Sequence, residues 1–508
     1  MFRSAKARVK NIARWESSSV KILGVIEIIL GVSLIAPAVT ALLYGEDPWI
    51  FIYPVPFLLI LGTLQYLLFR NVEMIKPASG LMLMFAAWWV VFFVSSIPFF
   101  LYGFSFIDSL FESVSGFTTT GLSAMGEPSM TYSILLWRAL IQWAGGIAVV
   151  MIFLFLIPMM GIGGKAFVNN ELAGSEAYNF SMRIKSAARN FISIYVLLSA
   201  VEVFLLMIGG VGLFESITMM FSTISTGGFM AGGGNMAEYS FPVQVIVLAF
   251  MFLGGTNFYL HYRAINKREF SSYRKSQEFI WTIVWFLAAT VAIIAILLMN
   301  ADDILAVDLR DTVWYTLFTV VSFGTTTGYE IADQAAWPLA AVVIMWLVML
   351  FGSMSGSTSG GIKIYRLLII KSFVSNGIYR MFHPRSVRDV RVDGRSMSSD
   401  AVVSAMVVVL MFIIALLVST IFLLVSEPGI DISESLGLSI SAISNVGIET
   451  GGVAVPELSG ISKVFLSFMM WVGRLEVVIA LLLFTRTFWR DLIPDVRMSM
   501  RSPKKGRT

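Results

Sequence analysis

No cysteine occurs in this 508-residue chain, so a disulfide framework, a thiolate nucleophile and a cysteine-bound metal are all excluded. Histidine is nearly absent: His261 and His383 are the whole supply, and their separation argues against a zinc or iron site. Charge is scarce too, at 13% Asp, Glu, Lys and Arg, against about 25% in a typical globular protein. Apolar residues fill 57% of the chain. A soluble fold could not hide that much apolar surface, and a disordered chain would be polar. The proportions that remain fit a helical membrane protein.

A bilayer is crossed by about 20 apolar residues in helical form. Ten segments meet that need: roughly 19–44, 48–69, 79–102, 134–160, 187–210, 241–262, 277–299, 338–370, 398–426 and 462–486. Segment 338–370 is too long for one plain helix and carries a Gly/Ser break. The basic start of the chain runs into a span too long for a signal-peptide core, so no cleavable signal is expected.

Net charge is +4. The basic residues sit between apolar spans, which favours a membrane face over nucleic acid. Arg3 to Arg14, Arg70 and Lys76, Lys165 to Lys185, Arg263 to Lys275, Arg380 to Arg395 and the tail from Arg490 lie on alternate loops. In the other loops Arg310 is the one base found, among acids such as Asp108, Glu215, Glu330, Glu434 and Glu449. The rule that cytoplasmic loops are basic then puts both termini in the cytoplasm.

The acidic loops after spans three, five, seven and nine each hold an apolar stretch too short to span, typical of a re-entrant half-helix. They align without gaps as DSLFESVSGFTTTGL (108–122), ESITMMFSTISTGGF (215–229), YTLFTVVSFGTTTGY (315–329) and ESLGLSISAISNVGI (434–448). Gly121, Gly228, Gly328 and Gly447 share one column. Ser115, Ser222, Ser322 and Ser441 share another, and Ser109, Ser216, Thr316 and Ser435 a third. The third column, beside a carboxylate in three repeats, suits a helix N-cap. Each half-helix would then aim its negative C-terminal end at the membrane middle, where a cation is favoured. The chain would return as an extended strand through Thr118, Thr119, Thr120 and Gly121. The counterparts are Ser225, Thr226, Gly227 and Gly228; Thr325, Thr326, Thr327 and Gly328; and Ser444, Asn445, Val446 and Gly447. Non-helical backbone at that depth needs a protein-lined or watery space. Four such strands around one axis present carbonyls able to replace a cation's hydration shell.

These four loops, each between paired spans, resemble the Trk/Ktr/HKT superfamily of potassium transporters. Two extra N-terminal spans and the SNVG ending of the fourth repeat make the TrkH-type branch the nearest likeness. The resemblance implies an all-α polytopic membrane protein with four M1–P-loop–M2 repeats around a central pore plus two extra N-terminal helices. It divides the chain into 1–76, a basic start and two-helix hairpin; repeats at 77–165, 186–265, 275–372 and 396–490; and a basic tail, 491–508. It implies K⁺ as the transported ion, bound at the sixteen strand residues named above, with Gly121 favouring K⁺ over Na⁺. It also implies a homodimer and a TrkA-like cytoplasmic ring of nucleotide-binding RCK domains. No inner loop is long enough to bind nucleotide itself.

The run Gly352, Ser353, Met354, Ser355, Gly356, Ser357, Thr358, Ser359, Gly360 and Gly361, with Lys363 after it, cannot form a good helix in lipid. It lacks the G-K-[ST] ending and preceding strand of a phosphate loop. It reads as a gating loop that obstructs the pore, or as a kinked, closely packed helix. Arg474 lies within the last span, where an isolated charge is costly. The family resemblance implies an electrostatic barrier below the filter; a structural ion pair, for instance with Glu202, is the alternative. Gln142, Asn257 and Glu202 are intramembrane polar groups for which hydrogen bonds between helices are as good a reading as transport. A symporter moving K⁺ with H⁺ or Na⁺ is the competing function, but no series of proton-relay carboxylates is visible. The chain lacks the constellation a hydrolytic intramembrane enzyme would need, so a non-enzyme is expected.

Overall fold

The computed structural model describes residues 19–69, 77–125, 130–156, 177–230, 235–300, 309–449 and 454–477, with Ala480 and Thr485 beyond. The basic start, Arg70, Lys76, Lys165 and the basic tail from Arg490 lie outside these residues. The membrane helices in chain order are α1 (Ser19–Tyr44) and α2 (Trp49–Leu68); α3 (Pro77–Tyr102), α4 (Phe106–Phe117) and α5 (Tyr132–Leu156); α6 (Ala177–Ile208), α7 (Leu213–Ile224), α8 (Phe241–Gly254) and α9 (Phe258–Asn266); α10 (Gln277–Met299), α11 (Leu309–Gly324), α12 (Leu339–Leu350) and α13 (Ile364–Phe382); and α14 (Ser399–Ser426), α15 (Ile432–Ser444) and α16 (Gly460–Arg474). Among the described residues, seven helices are long and apolar enough to cross a membrane, and the bent pair α8–α9 makes an eighth. The chain is a polytopic helical membrane protein. Leu43, Ile60, Val291 and Val425 turn outward, exposed in the protein alone, as lipid-facing side chains must be.

The four half-helices α4, α7, α11 and α15 each pack between the longer helices that flank them in sequence. Each also packs against the preceding repeat: α5 on α7, α8 on α11, α12 on α15, and α16 back on α4. The packing therefore closes a circle in sequence order. Large side chains fill it, among them Phe111, Phe117, Trp137, Phe318, Phe323 and Trp471, all buried.

Three expected spans are broken. Segment 338–370 divides into α12, a loop and α13, at the Gly/Ser run the sequence marks. Segment 241–262 bends by 102° between α8 and α9, and the run Gly254–Asn257 supplies the break. Segment 462–486 stops as helix at Arg474, and Glu476 turns with φ 64°. Sequence hydropathy averages over such short interruptions, so it reports one span in each of the latter two cases.

The expected column of N-cap hydroxyls does not cap: three of the helices begin about one turn earlier, and Thr316 lies well inside α11 (Leu309–Gly324). Ser105, not Ser109, caps α4, accepting from the Asp108 N–H. Asp431 caps α15 in a capping box with Glu434, and Gly212 precedes α7 without a side-chain cap. Ser109, Ser216 and Ser435 lie buried inside their helices; Ser435 donates to the Thr420 carbonyl at 2.8 Å. The carboxylates of the repeat do occupy the first turns, where the dipole favours them.

Candidate functional site

All four half-helices end in the same way. The third residue of each strand, Thr120, Gly227, Thr327 or Val446, donates its N–H to the carbonyl of Ser115, Ser222, Ser322 or Ser441, at 2.8, 2.8, 2.8 and 2.9 Å. The residue before it is left-handed in every case: Thr119 (φ 53°), Thr226 (55°), Thr326 (58°) and Asn445 (56°). This is a Schellman termination, and glycine usually occupies its left-handed position. The three threonines there cost about 1–2 kcal/mol each, a cost found where backbone shape serves a site; asparagine adopts the conformation more readily. The expected extended strand therefore begins only after a tight turn. Gly121, Gly228, Gly328 and Gly447 follow, with φ of 93°, 81°, 81° and 88°.

The four glycines close a ring. A Cβ on Gly121 would overlap the carbonyl oxygen of Gly227; on Gly228, that of Thr327; on Gly328, that of Val446; and on Gly447, that of Thr120. Each strand thus meets the next, and the fourth meets the first. The first three residues of every strand are buried. Strands one and three carry matching hydroxyl bridges, Thr118 to Thr120 at 2.7 Å and Thr325 to Thr327 at 2.8 Å. In strand four, Asn445 donates to the Thr120 hydroxyl and to the Met470 carbonyl, both at 2.9 Å. Three of the long helices come close enough to touch the backbone at the ring's base. A Cβ on Gly145, Gly254 or Gly473 would overlap the carbonyl of Phe117, Ile224 or Ile443.

The loop 351–363 lies against one side of this ring. Thr358 donates to the carbonyls of Ile224 (3.1 Å) and Gly254 (2.9 Å) and meets the Thr226 hydroxyl at 3.3 Å. The Gly360 N–H donates to the Thr326 hydroxyl at 2.7 Å, and a Cβ there would overlap the Ser444 carbonyl. Ser353 donates to the Gly255 carbonyl. The Lys363 ammonium folds back on the loop, donating to the carbonyls of Ser359 and Gly360. One carboxylate oxygen of Glu278, in the first turn of α10, accepts the N–H of Ser355 (2.7 Å) and of Tyr365 (3.2 Å). Most of the loop is buried, and at membrane depth its backbone polar groups need protein partners of the kind just named.

Arg474 ends α16, next to Gly473 at the ring's base. It is 6% exposed, and none of its three guanidinium nitrogens has a hydrogen-bond partner among the described residues. The ion pair with Glu202 is not formed; both Glu202 carboxylate oxygens are also without a hydrogen-bond partner there. Glu476 instead pairs with Arg366 at 2.5 Å. Asn257 caps α9, and His261 bridges the Tyr273 hydroxyl (2.7 Å) and the Leu253 carbonyl (2.9 Å).

Two further charges escaped the sequence reading. Arg138 of α5 and Lys463 of α16 lie at the end from which the half-helices enter, where Arg310 was the one base expected. Both are ion-paired, to Glu112 at 2.6 Å and to Asp108 at 2.7 Å. The signal was available: each base sits in an apolar segment, where a charge needs a partner. On the loop past strand three, burial pushes the Glu330 carboxyl up to about 7, and the nearby charges of Glu449 and Asp333 push the same way. Glu330 remains solvent-accessible, so water tempers that shift.

A family model described as TrkH, cation transport protein, matches residues 57–491. The Trk system potassium uptake protein TrkH of Escherichia coli (strain K12) is 28% identical over 482 residues, covering 93% of this chain and 99% of that protein. An uncharacterized cation transporter of Methanocaldococcus jannaschii is 26% identical over 484 residues, 93% of this chain and 96% of its own. The crystal structure of the potassium transporter TrkH from Vibrio parahaemolyticus superposes with a TM-score of 0.85 at 27% identity, over 93% of this chain and 99% of that one.

Proposed function

This chain belongs to the TrkH family of cation transport proteins, and on that footing we propose that it takes up potassium across the cell membrane through a channel-like pore. The closed ring of four strands carries the reading. Its glycines admit backbone within overlap distance of a Cβ, and four buried strands of one shape meet head to side around an axis. Carbonyls held so can replace the hydration shell of a cation about the size of K⁺. Four helix C-terminal ends abut the ring, and their dipoles add negative potential.

In this account the half-helices enter from outside, and both termini are cytoplasmic. Glu330 and Glu449 concentrate cations at the outer mouth. The loop 351–363 seals the inner side of the ring and must move for ions to pass. Arg474, buried and without a hydrogen-bond partner, opposes a second cation below the ring and so promotes release. The reading extends to a homodimer with one pore in each protomer. It also includes a cytoplasmic ring of nucleotide-binding RCK domains on the basic face that carries Arg380, Arg388 and Arg395.

Replacing Gly121 by Ser tests the ring. The added side chain meets the Gly227 carbonyl and a φ of 93°. Preference for K⁺ over Na⁺ should fall by about tenfold, the effect of losing one ligand's net hydrogen-bond-scale interaction. An unchanged ion ratio in a folded variant would refute the filter alignment.

A symporter moving K⁺ with H⁺ is the second reading. The fully buried Glu202, which has no ion-pair partner among the described residues, is the observation in its favour.

A further inference from the structure

The ring is uneven at one place. The third residue of each strand is Thr120, Gly227, Thr327 and Val446, so strand two alone has no side chain there. The space is taken by another helix. Gln142 of α5 is fully buried and reaches into strand two. Its Nε2 donates to the Gly227 carbonyl at 2.6 Å, and its Oε1 accepts the Phe229 N–H at 3.2 Å. One amide orientation alone satisfies both bonds, so the group is held at both ends. The two contacts bracket Gly228, the strand's ring glycine.

Gly227 and Gln142 exclude each other's alternatives. A Cβ on Gly227 would lie 2.5 Å from the Gln142 amide carbon, 2.7 Å from its oxygen and 2.8 Å from its nitrogen. Glycine at 227 is thus the condition for the amide to enter. In strands one and three the corresponding brace is internal, the Thr118–Thr120 and Thr325–Thr327 bridges. In strand two it comes from the preceding repeat.

The consequence is electrostatic as well as steric. The Gly227 carbonyl is the one that Gly121 packs against. A donor at 2.6 Å occupies one of its lone pairs and fixes its plane. That carbonyl therefore offers a cation less than an unshared one does. We infer that Gln142 is a specificity-determining positioning residue: it stands in for the missing third side chain of strand two and, through the Gly227 carbonyl, sets the ring's preference among monovalent cations. The inference rests on the ring being the filter.

The test measures K⁺, Rb⁺ and Na⁺ permeability ratios of the full chain in liposomes, with thermal stability followed in parallel. Gln142→Met keeps the volume and removes both bonds. It should lower the K⁺ to Na⁺ ratio by about tenfold at little-changed stability. The double variant Gln142→Ala with Gly227→Thr moves the brace back into the strand and should return the ratio to within about threefold of the parent. If Gln142→Met does not fold, the double variant decides: a parental ratio supports the inference, and a sodium-permeable ring overturns it. Gly121→Ser separates the two claims. A shift with Gly121→Ser but none with Gln142→Met overturns the role of Gln142 and leaves the ring standing. No shift with either overturns the ring itself.

Discussion

Glu112 and Arg138 form a fully buried ion pair, Arg138 Nε to Glu112 Oε1 at 2.6 Å, inside the apolar packing of α4 against α5. The pair is saturated. Glu112 Oε2 also accepts from the Ser123 hydroxyl (3.1 Å) and the Ala124 N–H (3.2 Å), and Arg138 donates to Ser123 at 3.0 Å. The guanidinium lies over the Phe229 ring, 4.1 Å from its centre. One pair thus ties the first half-helix, the chain leaving strand one and the residue after Gly228. Removing one partner strands the other charge at depth, at a cost of about 3–5 kcal/mol. Arg138→Ala or Glu112→Ala should therefore lower thermal stability sharply in detergent, while the double replacement by apolar residues should recover part of the loss. Equal, small losses for all three would contradict the pairing.

Glu278 ties the loop at Ser355 and the first turn of α13 at Tyr365, on either side of the segment that touches the ring. A net hydrogen bond contributes about 0.5–1.5 kcal/mol. Glu278→Ala should loosen the loop and raise basal K⁺ flux by roughly tenfold or more. Glu278→Gln keeps one acceptor oxygen and should raise it less. Equal basal flux in all three proteins would show that the tether does not restrain the loop.

Glu330 predicts a dependence on external pH. Its carboxyl is raised toward about 7 by partial burial and by the charges of Glu449 and Asp333, and solvent at the exposed side chain tempers the rise. A raised carboxyl is charged above that value and neutral below it. The mouth therefore loses negative charge as external pH falls from about 8 to 6, and the apparent KM for K⁺ should rise with little change at saturation. Glu330→Gln should flatten the profile at the high-KM level. A profile unchanged by the replacement would assign the titration elsewhere.

Much of the architecture is legible in the sequence because it repeats. Four aligned loops locate Gly121, Gly228, Gly328 and Gly447, and all four prove to be positive-φ glycines in one ring. The Gly/Ser run likewise marks the break between α12 and α13. What is not legible depends on contacts between distant residues. Gln142 meets Gly227 across 85 positions, and no spacing rule reports such a pair. Arg138 and Glu112 were visible as charges in apolar segments, yet hydropathy averaged them away. The left-handed turn at Thr119, Thr226 and Thr326 is hidden for another reason: threonine ordinarily avoids that conformation, so only the packed ring imposes it.

The most direct test of the central claim is K⁺ uptake into liposomes holding this chain with residues 353–359 shortened, the membrane potential set and Na⁺ competing. A closed loop then cannot mask a pore. The account predicts uptake that follows the K⁺ electrochemical gradient, needs no imposed H⁺ or Na⁺ gradient and exceeds that of the parent chain. Uptake that appears only with an imposed H⁺ or Na⁺ gradient, or a folded variant that passes no K⁺ at all, would contradict it.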